Sequence, residues 1–277
     1  MRRAAWAPAR SLDLSVSRGL PGLTAARIHQ PATWRGRSLK LLMIAQAQMP
    51  ILSREAELNA EIETIAARLD LAEFGSAAFR SSTSGRHIIG FSVDGRLVVV
   101  AKIGPRTDSG LLAEIRATTA TELAALTPRL LFSDSTKDRV VAAYAAFDGK
   151  PCFDLNTALE ESVALANASW THGDFAPWNV LTGSSGTLIV DWEHAFPTLV
   201  PMQDLSHFVY KIGRLLGRLT PADIDRLVSA ENGLFAEYDR RLGRESSRSS
   251  RREFFMEFLA QQSPSTFGHE VARAVRS

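Results

Sequence analysis

Between positions 170 and 194 the chain reads Trp170-Thr171-His172-Gly173-Asp174-Phe175-Ala176-Pro177-Trp178-Asn179-Val180-Leu181, then Thr187-Leu188-Ile189-Val190-Asp191-Trp192-Glu193-His194. An acid sits on a tight loop, an amide lies five residues on, and a second acid ends an apolar run. Pro177 keeps the loop from becoming a helix. Val180-Leu181 and Leu188-Ile189-Val190 predict paired strands that hold Asn179 and Asp191 at neighbouring ends. These residue types suit phosphoryl transfer. A hard divalent cation such as Mg²⁺ takes carboxylate and amide oxygens, which Asn179 and Asp191 supply. A further carboxylate, Asp174, can orient an acceptor hydroxyl and take its proton.

Each of these residues alone could be a turn residue. A second reading takes His172, Asp174, Asp191 and His194 as ligands of a two-metal hydrolase. It gives Asn179 no necessary place, and His29, His87, His207 and His269 show no ligand spacing. Trp178 and Trp192 read as core.

The pattern His172-Gly173-Asp174, four residues, Asn179, then a hydrophobic run ending in Asp191-Trp192-Glu193 resembles the aminoglycoside phosphotransferase and choline kinase superfamily. The form Asp174-Phe175-Ala176-Pro177-Trp178-Asn179 is similar to a bacterial subset associated with polysaccharide biosynthesis. The resemblance covers roughly residues 75–210. It implies an α+β, two-lobed, protein-kinase-like fold: a small antiparallel sheet with one helix, then a mostly helical lobe. It also implies transfer of the ATP γ-phosphate, with Mg²⁺, to a small-molecule hydroxyl on a sugar, aminoglycoside or amino alcohol. Asp174 would be the base, and Asn179 and Asp191 would hold metal. Lys102, a lone charge at the end of an apolar strand, would grip the nucleotide phosphates, and Glu114 on the next helix would hold the lysine, with Glu122 as a competitor. Ser81 to Gly85, including Ser84 and Gly85, is placed like the phosphate-covering loop. Asp204 resembles the aspartate that braces the catalytic loop, and His172 would be scaffold. Two departures stand out: few residues separate Gly149 from His172, and the phosphate loop has a single glycine. A catalytically inactive nucleotide-binding or interaction module is the alternative they leave open.

The elements that must position these residues follow from periodicity. Leu58, Ile62, Ile65, Ala66 and Leu69 predict an amphipathic helix capped by Ser53. Strands are expected near Phe79, over His87–Val93 and over Arg96–Ile103, with Asp94-Gly95 as the hairpin turn. Leu111, Leu112, Ile115, Thr119, Leu123 and Leu126 predict a helix stopped by Pro128. Strands at 129–132 and 139–144 follow, and Asp148-Gly149-Lys150-Pro151 marks the hinge. Thr220-Pro221-Ala222-Asp223 opens a helix. The basic, serine-rich run 239–252 reads as a solvated surface loop, with a last helix from about Phe254. The expected organisation is thus a leader or disordered extension over 1–52, a nucleotide-binding lobe over 53–148 and a catalytic and substrate lobe over 149–277.

Bulk composition narrows the field. The 277 residues are 45% hydrophobic, enough for a substantial core. With 32 basic against 30 acidic residues the chain is near neutral, so neither a nucleic-acid surface nor an acidic partner is expected. Oligomeric state leaves no mark on this composition. A single cysteine, Cys152, excludes an internal disulfide and suits a reducing cytoplasm. No apolar stretch approaches the ~20 residues of a membrane span. Up to Lys40, the acid Asp13 stands against eight cations, the composition of a leader.

Overall fold

The computed structural model describes residues 2–4, 12–16, 54–55, 58–81, 85–262 and 265–276. The chain divides into two compact units, Met1–Ile115 with Pro128–Asp148, and Arg116–Thr127 with Gly149–Ser277.

The first unit is an antiparallel sheet. Its strands are β1 (Arg2–Ala4), β2 (Leu12–Val16), β3 (Arg54–Glu55), β4 (Gly75–Ser81), β5 (His87–Val93), β6 (Arg96–Pro105), β7 (Leu130–Ser135) and β8 (Arg139–Ala145), in the spatial order β3-β1-β2-β4-β5-β6-β8-β7. Two of these, β1 and β2, lie within the segment expected as a leader or extension, with Leu14 opposite Phe79 of β4. The rest of 1–52 lies outside the described residues, as does the expected cap Ser53. Asp94 and Gly95 have φ of 48° and 73°, the paired positive values of a two-residue hairpin turn.

Strand alternation sorts the side chains of β6. Val99, Ala101 and Ile103 pack with Leu58, Ile62, Ile65 and Ala66, the apolar stripe of helix α1 (Asn59–Arg68). The intervening Lys102 pairs across the ladder with Ala142. Ala142 belongs to a second cluster with Val140, Tyr144 and Leu111 of helix α2 (Ser109–Thr119). Lys102 therefore lies on the α2 side of the sheet. That helix is shorter than the periodicity predicts. The Thr119 hydroxyl donates to the Arg116 carbonyl at 3.0 Å, Ala120 is extended, and only a 3₁₀ turn over Thr121–Leu123 follows.

The second unit opens with β9 (Gly149–Pro151), which joins β10 (Val180–Gly183) and β11 (Gly186–Ile189) in a three-stranded antiparallel sheet. Its helices are α3 (Leu155–Asn167), α4 (Gln203–Leu216), α5 (Pro221–Ser229), α6 (Leu234–Arg241), α7 (Arg248–Gln261) and α8 (Thr266–Arg276). Asp154 caps α3, and Thr220 with Asp223 forms a capping box on α5. One large apolar cluster, including Trp192, Phe208, Phe235 and Phe255, fills the unit. The fold is α+β, as the sequence predicts. No helix among the described residues is long and apolar enough to cross a membrane.

The basic run 239–252 is not a solvated loop throughout. Helix α7 starts at Arg248 with the Ser247 hydroxyl accepting the Ser250 amide, and Arg251 is 2% exposed. Its guanidinium donates to the carbonyls of Val228 at 3.1 Å and Ser246 at 2.7 Å, so backbone oxygens take the place of water around the charge. Arg251→Ala should therefore cost about 2–4 kcal/mol in denaturant unfolding. The exposed neighbour change Arg248→Ala should stay within about 0.5 kcal/mol.

Candidate active site

In the second unit the 170–179 loop is held by its own backbone and by one helix. Thr171 exchanges two backbone hydrogen bonds with Phe196, both 3.1 Å. Gly173 has φ of +80°, and a Cβ there would lie 2.5 Å from the His194 carbonyl oxygen, so only glycine fits. The buried carboxylate of Asp204, in the first turn of α4, accepts the amide of His172 at 2.9 Å and that of Gly173 at 3.0 Å. Burial pushes Asp204 up to about 6, while the two amide donors pull the other way.

His172 is fully buried against Trp192, with ring centroids 4.8 Å apart. Its Nε2 lies 3.1 Å from the Val190 carbonyl, and its Nδ1 accepts the Asp174 amide at 3.3 Å. Those partners fix a neutral ring that donates through Nε2. Both nitrogens are engaged, so His172 has no lone pair to offer a metal, which removes a ligand the hydrolase reading requires. His194 is exposed and sits beside Glu193.

Asp174 is half-buried. The Asn179 amide nitrogen donates to its backbone oxygen at 2.8 Å and to its Oδ2 at 3.1 Å. With its amide nitrogen donating twice to Asp174, the Asn179 side chain still has its oxygen as an acceptor. Asp191 follows the hairpin in a left-handed conformation, φ +66°, which is strained for a residue with a side chain. The buried Trp192 ring, donating to the Ile189 carbonyl at 2.7 Å, anchors that turn. Burial raises the Asp174 pKa; the Lys211 cation opposes the rise, the Asp191 carboxylate adds to it, and His194 and the Asn179 hydrogen bond oppose it. The sequence-predicted trio Asp174, Asn179 and Asp191 is thus brought together, with an amide and carboxylate oxygens of the hard kind that Mg²⁺ takes.

Two neighbours of Asp174 escape sequence reasoning. His207 Nε2 lies 3.4 Å and Lys211 Nζ 4.0 Å from Asp174 Oδ1. Both stand on α4, three and seven residues after Asp204, hence on the same helix face. Their signal was available only as that spacing. Burial, then Lys211 and the nearby histidines, pushes His207 down to about 3. It is neutral near pH 7, and its contact with Asp174 is not an ion pair.

In the first unit, Lys102 Nζ meets Glu114 Oε2 at 2.7 Å, with both residues buried. Glu122 does not compete: it is exposed and accepts the Trp170 indole N–H at 2.9 Å in the second unit. Arg86 holds Asp108 through two bonds, Nε to Oδ2 at 2.9 Å and Nη2 to Oδ1 at 2.6 Å, while Asp108 Oδ1 accepts the Leu111 amide at the start of α2. Gly85 has φ of +66°. Ser84 lies outside the described residues.

Residues 106–241 match the profile of APH, the phosphotransferase enzyme family. The matched stretch takes in Glu114, Asp174, Asn179, Asp191 and Asp204 and begins after Lys102. No curated protein matches the sequence. Solved structures similar to this chain include WbdD with a kinase inhibitor, at 16% identity and TM-score 0.44, covering 67% of this chain and 48% of that one. The bifunctional kinase–methyltransferase WbdD follows at 16% and 0.45, covering 69% and 47%. Aminoglycoside phosphotransferase APH(4)-Ia matches at 13% and 0.44, covering 78% and 95%. The chain spans about half the length of the WbdD chains.

The bracing of the 170–179 loop has measurable consequences. Asp204→Ala leaves two buried amides without an acceptor and should cost about 2–5 kcal/mol in chemical denaturation, with Asp204→Asn recovering part of it. His207 has a folded pKa of about 3 against 6.5 unfolded, so its contribution is full above pH 6.5 and is lost as pH falls toward 3. Asp204, raised from 3.8 to about 6, acts in the opposite sense over that narrower window. His207→Asn should flatten the acid limb of the stability profile below pH 6.5. An unaltered limb would contradict the neutral, buried imidazole.

Proposed function

We propose that this phosphotransferase is an ATP-dependent small-molecule kinase of the cytoplasm, with an alcohol hydroxyl as acceptor. The observation that carries the reading is Asp174: a carboxylate fixed by Asn179, electrostatically coupled to Asp191, on a loop clamped by Asp204. Residues 53–148 act as the nucleotide-binding lobe and 149–277 as the catalytic and acceptor lobe.

Asp174 orients the acceptor hydroxyl and takes its proton as the oxygen bonds to the γ-phosphorus. The bond from that phosphorus to the β,γ-bridging oxygen breaks, its electron pair leaves with ADP, and the proton passes from Asp174 to solvent. Asn179 and Asp191 would hold Mg²⁺, which when bound would neutralise charge on the phosphate oxygens. Lys102, kept in place by Glu114, binds nucleotide phosphates, and Ser84 with Gly85 covers them. Burial and the Asp191 charge make Asp174 a stronger base than a solvated aspartate.

The test is ADP formation from ATP and Mg²⁺ across a panel of hydroxylated metabolites. Asp174→Asn should lower kcat by about 10²–10⁴-fold while Mg²⁺–ATP still raises the melting temperature. Asp191→Ala should abolish that thermal shift, and Lys102→Ala should raise KM for ATP. Wild-type turnover in Asp174→Asn would refute the base. Nucleotide binding with no turnover on any acceptor would leave a nucleotide-binding module instead.

A further inference from the structure

Helix α4 carries a polar stripe that continues past the catalytic loop. Asp204, His207, Lys211 and Arg214 fall at alternating spacings of three and four, so they share one face. Arg218 follows just beyond the left-handed Gly217 cap. The stripe starts as the brace of the loop, passes Asp174 at His207 and Lys211, and ends in cations. Each cation is set over an aromatic ring. Lys211 Nζ is 6.0 Å from the Trp178 centroid, Arg214 Cζ 5.8 Å from Tyr210, and Arg218 Cζ 4.4 Å from Phe153.

Among the described residues neither Arg214 nor Arg218 has a carboxylate partner, and Lys211 has only Asp174, at 4.0 Å. Several acids of the helices after α4 are engaged with other cations. Asp223 holds Arg226, Asp225 holds Arg252 at 3.2 Å, and Glu237 holds Arg240 and Arg241. Rings that fix the guanidinium planes leave their N–H edges available for a carboxylate or phosphate. At about 1.5 Å per residue Arg214 lies some 5 Å along the helix beyond Lys211, and Arg218 follows past the helix end.

We propose that this stripe selects an anionic acceptor: a hydroxylated compound whose acceptor hydroxyl reaches Asp174 while its carboxylate or phosphate lies on Arg214 and Arg218. The proposal rests on the kinase reading above and names the acceptor class for the same site. A polycationic acceptor is disfavoured, because its charges would meet the three cations of this stripe.

The panel is a hexuronate, a hexose monophosphate, the parent neutral hexose and a polycationic aminoglycoside, each assayed for ADP release and, by calorimetry, for binding. One of the two anions should exceed the neutral hexose about tenfold or more in kcat/KM, with the advantage shrinking as salt rises. Which anion wins distinguishes carboxylate from phosphate. Arg214→Gln and Arg218→Gln should each raise acceptor KM about tenfold with a much smaller change in kcat. Lys211→Gln, closest to Asp174, should lower kcat as well. Preference for the neutral or polycationic compound overturns the proposal. So do arginine variants that shift only the melting temperature, which would leave these residues as complements to the helix dipole. If no compound is phosphorylated, anion binding that Arg214→Gln weakens sustains the acceptor site and refutes the kinase reading; absence of anion binding overturns the site itself.

Discussion

The buried carboxylate of Asp204 gripping two consecutive backbone amides, those of His172 and Gly173, is the constraint from which the 170–179 loop takes its shape. Consecutive N–H groups converge on one anion only when the chain turns through a left-handed residue, and Gly173 at φ +80° provides the turn. A side chain there would collide with the His194 backbone, so the glycine is demanded twice, by conformation and by space. Burying the carboxylate is costly, and two charge-assisted bonds at 2.9 and 3.0 Å offset that cost. Asp204 reaches this position because α4 begins where it does, after Met202 turns left-handed at φ 60°. The loop therefore inherits its geometry from a helix start about thirty residues away.

The next layer works through His172. Its ring is wedged among Trp192 and Phe175, and its two nitrogens tie Val190 to Asp174, linking the strand that delivers Asp191 to the loop that carries Asp174, the proposed base. Asn179 closes the same circuit, because Val190 also donates to the Asn179 carbonyl at 2.8 Å. The left-handed Asp191 persists because the packed and hydrogen-bonded Trp192 beside it leaves the turn little freedom. Side chains held this way need little reorganisation when a substrate arrives, which is what oriented catalysis requires.

What could be read in the sequence was what is local. The loop-and-hairpin stretch declares itself because Asp174, Asn179 and Asp191 are tied by short-range turns, and His87–Val93 is a strand at its predicted bounds. Lys102 was conspicuous as a charge in an apolar strand. Its partner was ambiguous between Glu114 and Glu122, since spacing alone admits both. Sheet-face alternation and the early end of α2 at Thr119 decide it, and both depend on tertiary packing. His207 and Lys211 carry no local signal beyond their spacing from Asp204, because their relation to Asp174 passes through the register of α4. Arg251 misled for the opposite reason: a basic, serine-rich run reads as solvated until three-dimensional structure supplies buried carbonyls to receive the guanidinium.

The sign of α4 changes along its length, from Asp204 in its first turn to Arg214 in its last. A helix dipole favours that order, so the placement of Arg214 has a ready electrostatic account. The same account does not reach Lys211. Dipole effects fade within about one turn of a helix end, and Lys211 lies ahead of the last turn of this 14-residue helix. Its position answers instead to Asp174, whose carboxylate is 4.0 Å away. A cation held so close to the group proposed to receive the hydroxyl proton lowers that group's basicity. It is an odd neighbour for a base unless the reaction brings further negative charge to the same place.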